Sequence, residues 1–462
     1  MIKREAIFSD ETNGYVNPSE PGAYDNISIC IRVAKDDVDR VEILHGKNYS
    51  ETTLLRKYHS DYYFDYYKIF TDISNVVFRY VFRISKGKET VYYDRVGVSD
   101  GIRVFQGFEI IPDFKTPDWA KGAIMYQIFV DRFCRGDSSN DVLDDEYIYL
   151  GVPCTRTTDW YEYPSNFDVG YFYGGDLQGV MDKLDYLKSL GVEAIYFNPI
   201  FVSPSNHKYD AQDYEHIDPH YAKIVNDGGE LVDPEAEDNL KATKYIIRTT
   251  DKENLEASDR FFANFVDIAH QKGIRIILDG VFNHCGSFHK WLDKEFIYKN
   301  AKGYPKGAFH GVDSPYRSYF RFYEDTNSYD GWWGHSTLPK LFYENSDKLV
   351  NEILAIARKW ISPPYNVDGW RLDVAADLGY SREFNHLFWA MFRTVVKGTK
   401  SDALILAEHY GDPTYWLDGK CWDGIMNYDG FMEPVSWFLT GLEKHSDRSD
   451  MNVKGNSYAF FM

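Results

Sequence analysis

The sequence predicts a multidomain chain: an N-terminal β-sandwich, then a (β/α)8 TIM barrel lacking its last strands, with a small subdomain inserted after the third barrel strand. Three observations predict it. Residues 1–110 carry short alternating runs divided by polar, glycine-bearing turns, with no amphipathic helix among them. From Ala123 onward, apolar strands alternate with segments of helical period, the pattern of a parallel sheet with helical crossovers. Single polar residues then recur at the strand ends: Asp131, Asn198, Asp279, Asp373, Glu408 and Asn427. That is the habit of a barrel whose active site gathers at the carboxyl ends of its strands.

Taken in order, the sandwich strands are read over 27–33, 38–44, 76–84 and 89–96. Residues 27–33 alternate most cleanly, with Ile27, Ile29, Ile31 and Val33 on one face. The stretch 108–119 holds two prolines and reads as a linker, which sets domain bounds of 1–110, 111–120 and 121–462. Barrel strands are read over 124–130, 192–197, 274–278, 367–373, 403–407 and 424–427. Helices are read over 177–190, 255–272, 349–361, 384–396 and 432–439. Gly191 and Gly273 stop the first two. The stretch from about 285 to 345 is too long for a plain loop and reads as the inserted subdomain. A doubly wound sheet would carry a glycine-rich phosphate turn after its first strand; Asp131-Arg132-Phe133 stands there instead.

Bulk properties narrow the function. The chain has 462 residues, 51 basic against 71 acidic groups, and a net charge of −20. That disfavours nucleic acid, whose phosphates would be repelled. Aromatics reach 17%, which suits stacking on flat ligand faces as well as core packing. No stretch is long and apolar enough to span a membrane, and the first residues lack a signal-peptide core. Cys30, Cys134, Cys154, Cys285 and Cys421 are scattered and odd in number, without metal-ligand spacing. They fit reduced thiols, and a cytoplasmic location is expected.

Val367-Asp368-Gly369-Trp370-Arg371-Leu372-Asp373 is the most informative segment. Side chains alternate along a strand, so Arg371 and Asp373 share a side. A guanidinium beside a carboxylate favours its ionised form. An ionised, aimed aspartate is what a glycosidase needs as nucleophile, though a structural ion pair would have the same composition.

With Asp279-Gly280-Val281-Phe282-Asn283-His284 and Ala403-Leu404-Ile405-Leu406-Ala407-Glu408-His409, in this order, that segment resembles the signature regions of the α-amylase family of glycoside hydrolases. Tyr126-Gln127-Ile128-Phe129-Val130-Asp131-Arg132-Phe133 is similar to the family's first barrel strand. Ser203-Pro204-Ser205-Asn206-His207-Lys208-Tyr209-Asp210 is similar to its loop after strand two, and Leu338-Pro339-Lys340-Leu341 to the signature of its neopullulanase and cyclomaltodextrinase branch. Six motifs in order are a specific match covering essentially the whole chain.

The reaction and the resemblance assign the same two roles. A retaining glycosidase needs a nucleophile and an acid/base carboxyl about 5 Å apart. Asp373 and Glu408, at the ends of adjacent barrel strands, are expected to be that pair. By resemblance, His284 and His207 bind hydroxyls of the sugar, Tyr209 stacks on it, and Asp279 supports Arg371. By resemblance too, Asp137, Asn140, Asp141, Gly174 and Asp176 form a calcium loop of hard oxygens on a turn, and the N-domain can make a homodimer. Trp332 and Trp333 are expected at the cleft by analogy.

The sequence also departs from the family pattern. Arg135 stands where the family has an asparagine in the calcium loop. His409 and Tyr410 follow Glu408 in place of an aliphatic residue and tryptophan. Ala376 and Asp377 replace an Asn-Glu pair. The family's third carboxylate belongs to a His-Asp motif after strand seven; the nearest match is His445-Ser446-Asp447, and 35 residues follow Asn427. A C-terminally truncated chain is the expectation. The expected activity is retaining hydrolysis of α-1,4-glucosidic bonds in starch oligosaccharides, pullulan or cyclodextrins. The alternatives are an α-1,6-acting glucosidase or amylopullulanase, or an inactive glucan-binding protein.

Overall fold

The computed structural model describes residues 1–440 except 166–167, 234 and 324–326; the His445-Ser446-Asp447 match lies outside the described residues. The chain divides between Lys115 and Thr116 into two compact units.

The N-terminal unit is a sandwich of two antiparallel sheets. One runs in the order Val16–Asn17, Asn26–Ala34, Phe64–Asp72, Arg56–Ser60. The other runs Glu51–Leu54, Arg40–His45, Phe78–Lys86, Glu89–Asp94, Gly97–Ser99. Ile27, Ile29, Ile31 and Val33 face Val41, Ile43, Phe82, Ile84 and Val91 across one core. Period-2 alternation thus becomes burial on one face, the main favourable term for such a domain. The proline-bearing stretch read over 108–119 starts with three residues of sheet, which the domain bound at 110 leaves in the first unit. Phe108–Ile110 is a last strand pairing with Phe78–Lys86, and Phe108 and Ile110 lie in the core. Three residues are too short a run to display alternation, while Pro112 and Pro117 are conspicuous.

Among the described residues, the second unit is built on six parallel strands: Met125–Ile128, Ala194–Phe197, Arg275–Gly280, Gly369–Leu372, Leu404–Ala407 and Gly424–Ile425. Each pairs with the next in chain order. Ile195, Phe197, Ile276, Leu278, Trp370, Leu372, Ile405 and Ala407 pack on the helix side, and Ala194, Tyr196, Ile277 and Leu404 form a separate inner cluster. This parity puts Asp279 and Arg371 on the inner side. Helices Lys252–Gln271, Asp347–Ile361 and Arg382–Thr399 fill the outer layer, each N-capped by a side chain, Asp251, Ser346 and Ser381. The expected helix over 177–190 is two, Leu177–Asp182 and Leu184–Ser189, because Lys183 leaves helical geometry at φ −99°, ψ 2°. Gly191 and Gly273 take φ +84° and +73° after the first two crossovers, as left-handed stops do.

The insertion after the third strand contains only short 3-10 turns among its described residues. It is tied back by isolated bridges, His284 to Lys340 and Phe320 to Leu341. A satellite core joins it to the long excursion after the first strand and to helix Thr243–Thr250 after the second, through Phe288, Ile297 and Tyr298 against Tyr147, Tyr149 and Tyr245. Among the described residues, no helix is long and apolar enough to cross a membrane.

Candidate active site

Strand register brings the central residues together. Asp279 pairs with Arg371, and Leu372 pairs with Ala407. The ladder runs one residue further: Asp373 donates its N–H to Gly280 and Glu408 donates its own to Leu372. Asp373 and Glu408 are therefore neighbours at the carboxyl ends of adjacent strands, about 5 Å apart along the sheet.

One guanidinium organises three carboxyls. Arg371 Nη1 lies 3.0 Å from each oxygen of Asp279 and 2.9 Å from Asp373 Oδ1. Its Nη2 lies 3.0 Å from Glu408 Oε2. Asp279 Oδ2 also accepts the hydroxyls of Tyr196 at 2.7 Å and Tyr209 at 3.1 Å. Glu408 Oε2 takes the Val374 N–H at 2.9 Å, and Oε1 the hydroxyls of Tyr428 at 3.3 Å and Tyr410 at 3.4 Å. Val374 sits at φ +36°, ψ 47°, a conformation a β-branched residue adopts at a cost of about 1–3 kcal/mol and one typical of functional sites. The strain aims its N–H at Glu408.

The electrostatics correct one expectation. Arg371 alone was expected to keep Asp373 ionised. Burial, and then Asp279, push the Asp373 carboxyl well above the usual aspartate range, against the pull of Arg371. Asp279 is also raised, by burial outweighing Arg371. Arg371 divides a single positive charge among its carboxyl partners, and for Asp279 and Asp373 burial outweighs it.

The site opens into a cleft of about 1060 Å³ lined by His207, Tyr209, His284, Trp332, Trp333 and Tyr410. His207 Nδ1 accepts the Tyr209 N–H at 3.1 Å, which makes Nε2 the ring's donor. Both nitrogens of His284 are engaged by protein: Nε2 donates to the Tyr209 carbonyl at 3.2 Å and Nδ1 accepts from Asn283 at 3.1 Å. Burial holds its pKa down to about 3, so the ring is neutral. Trp332 stacks on His284 at 5.0 Å and 10°, and its indole N–H donates to Asp377. Lys340 bridges Asn283 Oδ1 and the Asp377 carbonyl, fixing the insertion beside the strand-four loop.

The six strand-end polar residues therefore divide. Asp279, Asp373 and Glu408 converge on Arg371. Asn198 binds Gln127 and contacts Tyr209. Asp131 instead accepts the N–H groups of Tyr173 and Gly174, and Asn427 caps the turn at Gly430. Sequence reasoning missed Tyr196, Tyr428 and Asp377. Tyr196 had a signal, its inward parity on strand two; the other two depend on loop conformation. His386, distant in sequence, also meets the near neighbours Asp418 and Cys421 within 4.8 Å, with His386 and Asp418 paired at 2.9 Å.

The expected calcium ligands sit together but do not fit a divalent ion. Asp141 is held by Arg135 and Arg156, Asp137 by Lys223, and Asp176 by the N–H groups of Gly136, Asp137 and Gly179. Gly174, at φ +80°, packs so closely that a Cβ would lie 2.6 Å from Asp141 Oδ1. Asn140 Oδ1 alone is buried without a hydrogen-bond partner.

Comparison with known proteins agrees with this architecture. A family profile described as alpha amylase, catalytic domain, matches residues 127–242 and 257–452, and one described as alpha amylase, N-terminal ig-like domain, matches residues 1–106. Among curated proteins, neopullulanase 2 of Thermoactinomyces vulgaris is 33% identical over 462 residues, covering 97% of this chain and 68% of that protein. A cyclomaltodextrinase of Thermoanaerobacter pseudethanolicus is 33% identical over 455 residues, covering 93% and 65%. A solved cyclomaltodextrinase structure matches with a TM-score of 0.57 at 28% identity, covering 98% of this chain and 68% of that one. The chain thus spans about two thirds of these relatives. A sandwich matching the Ig-like domain, a parallel barrel sheet matching the catalytic domain, and relatives of one kind along nearly the whole length together show that the chain belongs to the α-amylase family.

Proposed function

We propose that the chain acts as a retaining glycoside hydrolase on α-1,4-glucosidic bonds of starch-derived oligosaccharides, pullulan or cyclodextrins. The observation that carries the reading is the pair Asp373 and Glu408, on adjacent strands and sharing Arg371, at the floor of an aromatic-walled cleft. Asp373 attacks the anomeric carbon while Glu408 protonates the departing glycosidic oxygen, giving a glycosyl ester on Asp373. Glu408 then takes a proton from water, which attacks the same carbon and releases the sugar with its configuration retained. Tyr209 and Trp332 offer ring faces to a sugar, and His207 Nε2 offers a donor to its hydroxyls.

Two variants and one product measurement test it. Asp373→Asn is expected to abolish turnover of maltooligosaccharides while retaining their binding. Glu408→Gln is expected to lower kcat by about 10²–10⁴. NMR of the first-formed product is expected to show the α-anomer, and pullulan is expected to yield panose. A β-anomer, or Glu408→Gln equal to the parent, would refute the mechanism. Maltotriose from pullulan would refute the linkage assignment alone.

A further inference from the structure

The loop read as a calcium site is electrically complete without a metal. Its acids are Asp137, Asp141 and Asp176, and the last two are buried. Asp141 Oδ1 accepts Arg135 Nε at 3.1 Å, and Oδ2 accepts Arg156 Nη1 at 2.9 Å as well as Arg135 Nη2. Asp137 Oδ2 pairs with Lys223 Nζ at 2.5 Å, and Oδ1 accepts the Ser139 N–H and hydroxyl. Both Asp176 oxygens take backbone N–H groups, from Gly179 at 2.7 Å, Asp137 at 2.7 Å and Gly136 at 3.0 Å. Even the Asp141 carbonyl is engaged, by the buried Arg248 at 2.9 Å. Two of the three carboxylates thus meet three cationic side chains, and the third, Asp176, meets backbone N–H groups alone. A divalent ion would have to displace two guanidinium contacts from Asp141, and a guanidinium keeps its charge at any working pH.

We propose that Arg135, supported by Arg156 and Lys223, is the resident cation of this loop, and that the protein folds and works independently of calcium. Arg135 branches off beside the loop and reaches back to Asp141, so one chain segment supplies both the charge and its counter-charge. The ammonium of Lys223, from the segment following Tyr221, pins the other side. Asn140 Oδ1 is the ligand atom this arrangement leaves over. It is buried and unpartnered, while its amide nitrogen holds the Ala222 carbonyl at 3.1 Å. Removing the Arg135 guanidinium would free Asp141 Oδ1, one residue from Asn140 along the chain, and hard carboxylate and amide oxygens on one turn are what calcium takes. The inference stands whether or not the catalytic reading holds.

Thermal melting of the protein, as it is, in excess EDTA and in millimolar CaCl2 tests the proposal directly. The midpoint is expected to agree within about 1 °C in the two, and calorimetric titration with CaCl2 to show no binding. A midpoint that falls in EDTA and is restored by calcium would overturn it. Arg135→Asn is expected to melt about 2–4 °C lower in EDTA, a modest loss because Arg135 is over one-third exposed, and to regain that loss on adding calcium. Arg135→Lys keeps the charge and is expected to stay indifferent to both reagents. An Arg135→Asn variant that melts like the parent and binds no calcium would also overturn the assignment.

Discussion

Replacing Arg371 by methionine keeps an unbranched apolar stem and removes the charge on which three carboxyls converge. The structure sets the scale. Arg371 is nearly buried and touches Asp279, Asp373 and Glu408 within 3.0 Å. An opposite charge at that distance lowers a carboxyl pKa by about 1–3. Asp373 is already raised by burial and by Asp279, and Arg371 opposes both. Its loss moves Asp373 further up. As the proposed nucleophile, Asp373 works only when ionised, so the acid limb of kcat/KM is expected to move to higher pH by about 1–3 units, with activity below that limb falling tenfold per unit. Leaving buried carboxyls unpaired costs about 3–5 kcal/mol at neutral pH. The folded variant holds protons on Asp373 and Asp279 more tightly than the unfolded chain does. Stability is therefore full below the ordinary aspartate pKa and is lost as pH rises toward the raised folded value. The pH–rate profile with a maltooligosaccharide, alongside melting at pH 4.5 and pH 7, measures both. The melting deficit against the parent should widen from pH 4.5 to pH 7. A uniform fall in kcat with an unmoved acid limb and an equal deficit at both pH values would refute the shared-charge account.

Three further outcomes follow from other contacts. Asp368 lies at the opposite end of the fourth strand; against burial, hydrogen bonds from His270 and Lys400 hold its pKa down to about 2. Asp368→Asn should cost about 3–5 kcal/mol in a denaturant titration at neutral pH, leaving kcat unchanged. That contribution exists above the ordinary aspartate pKa and fades as pH falls toward 2, so the deficit should shrink in acid. Tyr428→Phe removes one hydroxyl from Glu408 Oε1 and should lower kcat about fivefold by steady-state kinetics, with little change in KM. Trp332→Ala removes a cleft wall and the ring stacked on His284, and should raise KM for maltooligosaccharides up to about tenfold with a smaller change in kcat.

Much of this protein was legible in its sequence because periodicity records burial. The alternation at Ile27, Ile29, Ile31 and Val33 identified the sandwich strand, and helical spacing with Gly191 and Gly273 located the crossovers. Strand parity also placed Asp279, Arg371 and Asp373 on one side of one sheet. What parity does not carry is which loops fold back onto that sheet. Phe108–Ile110 was read as linker because three residues cannot show a period. Tyr428, Asp377 and Lys340 reach the cleft through turns whose conformation has no periodic signature.

Composition and order alone determined the two-unit architecture, the barrel strands and the acidic residues at their ends, since these depend on local pattern and short-range geometry. Only the tertiary structure decided how charge is distributed among them. It gave Arg371 three carboxyls rather than one, which lifts Asp373 instead of holding it low. It also gave Asp141 two arginines where hard oxygens on a turn suggested a metal. Charge balance in a buried site is summed over every group that arrives there, and residues as far apart as Arg135, Arg156 and Lys223 meet only when the chain has folded.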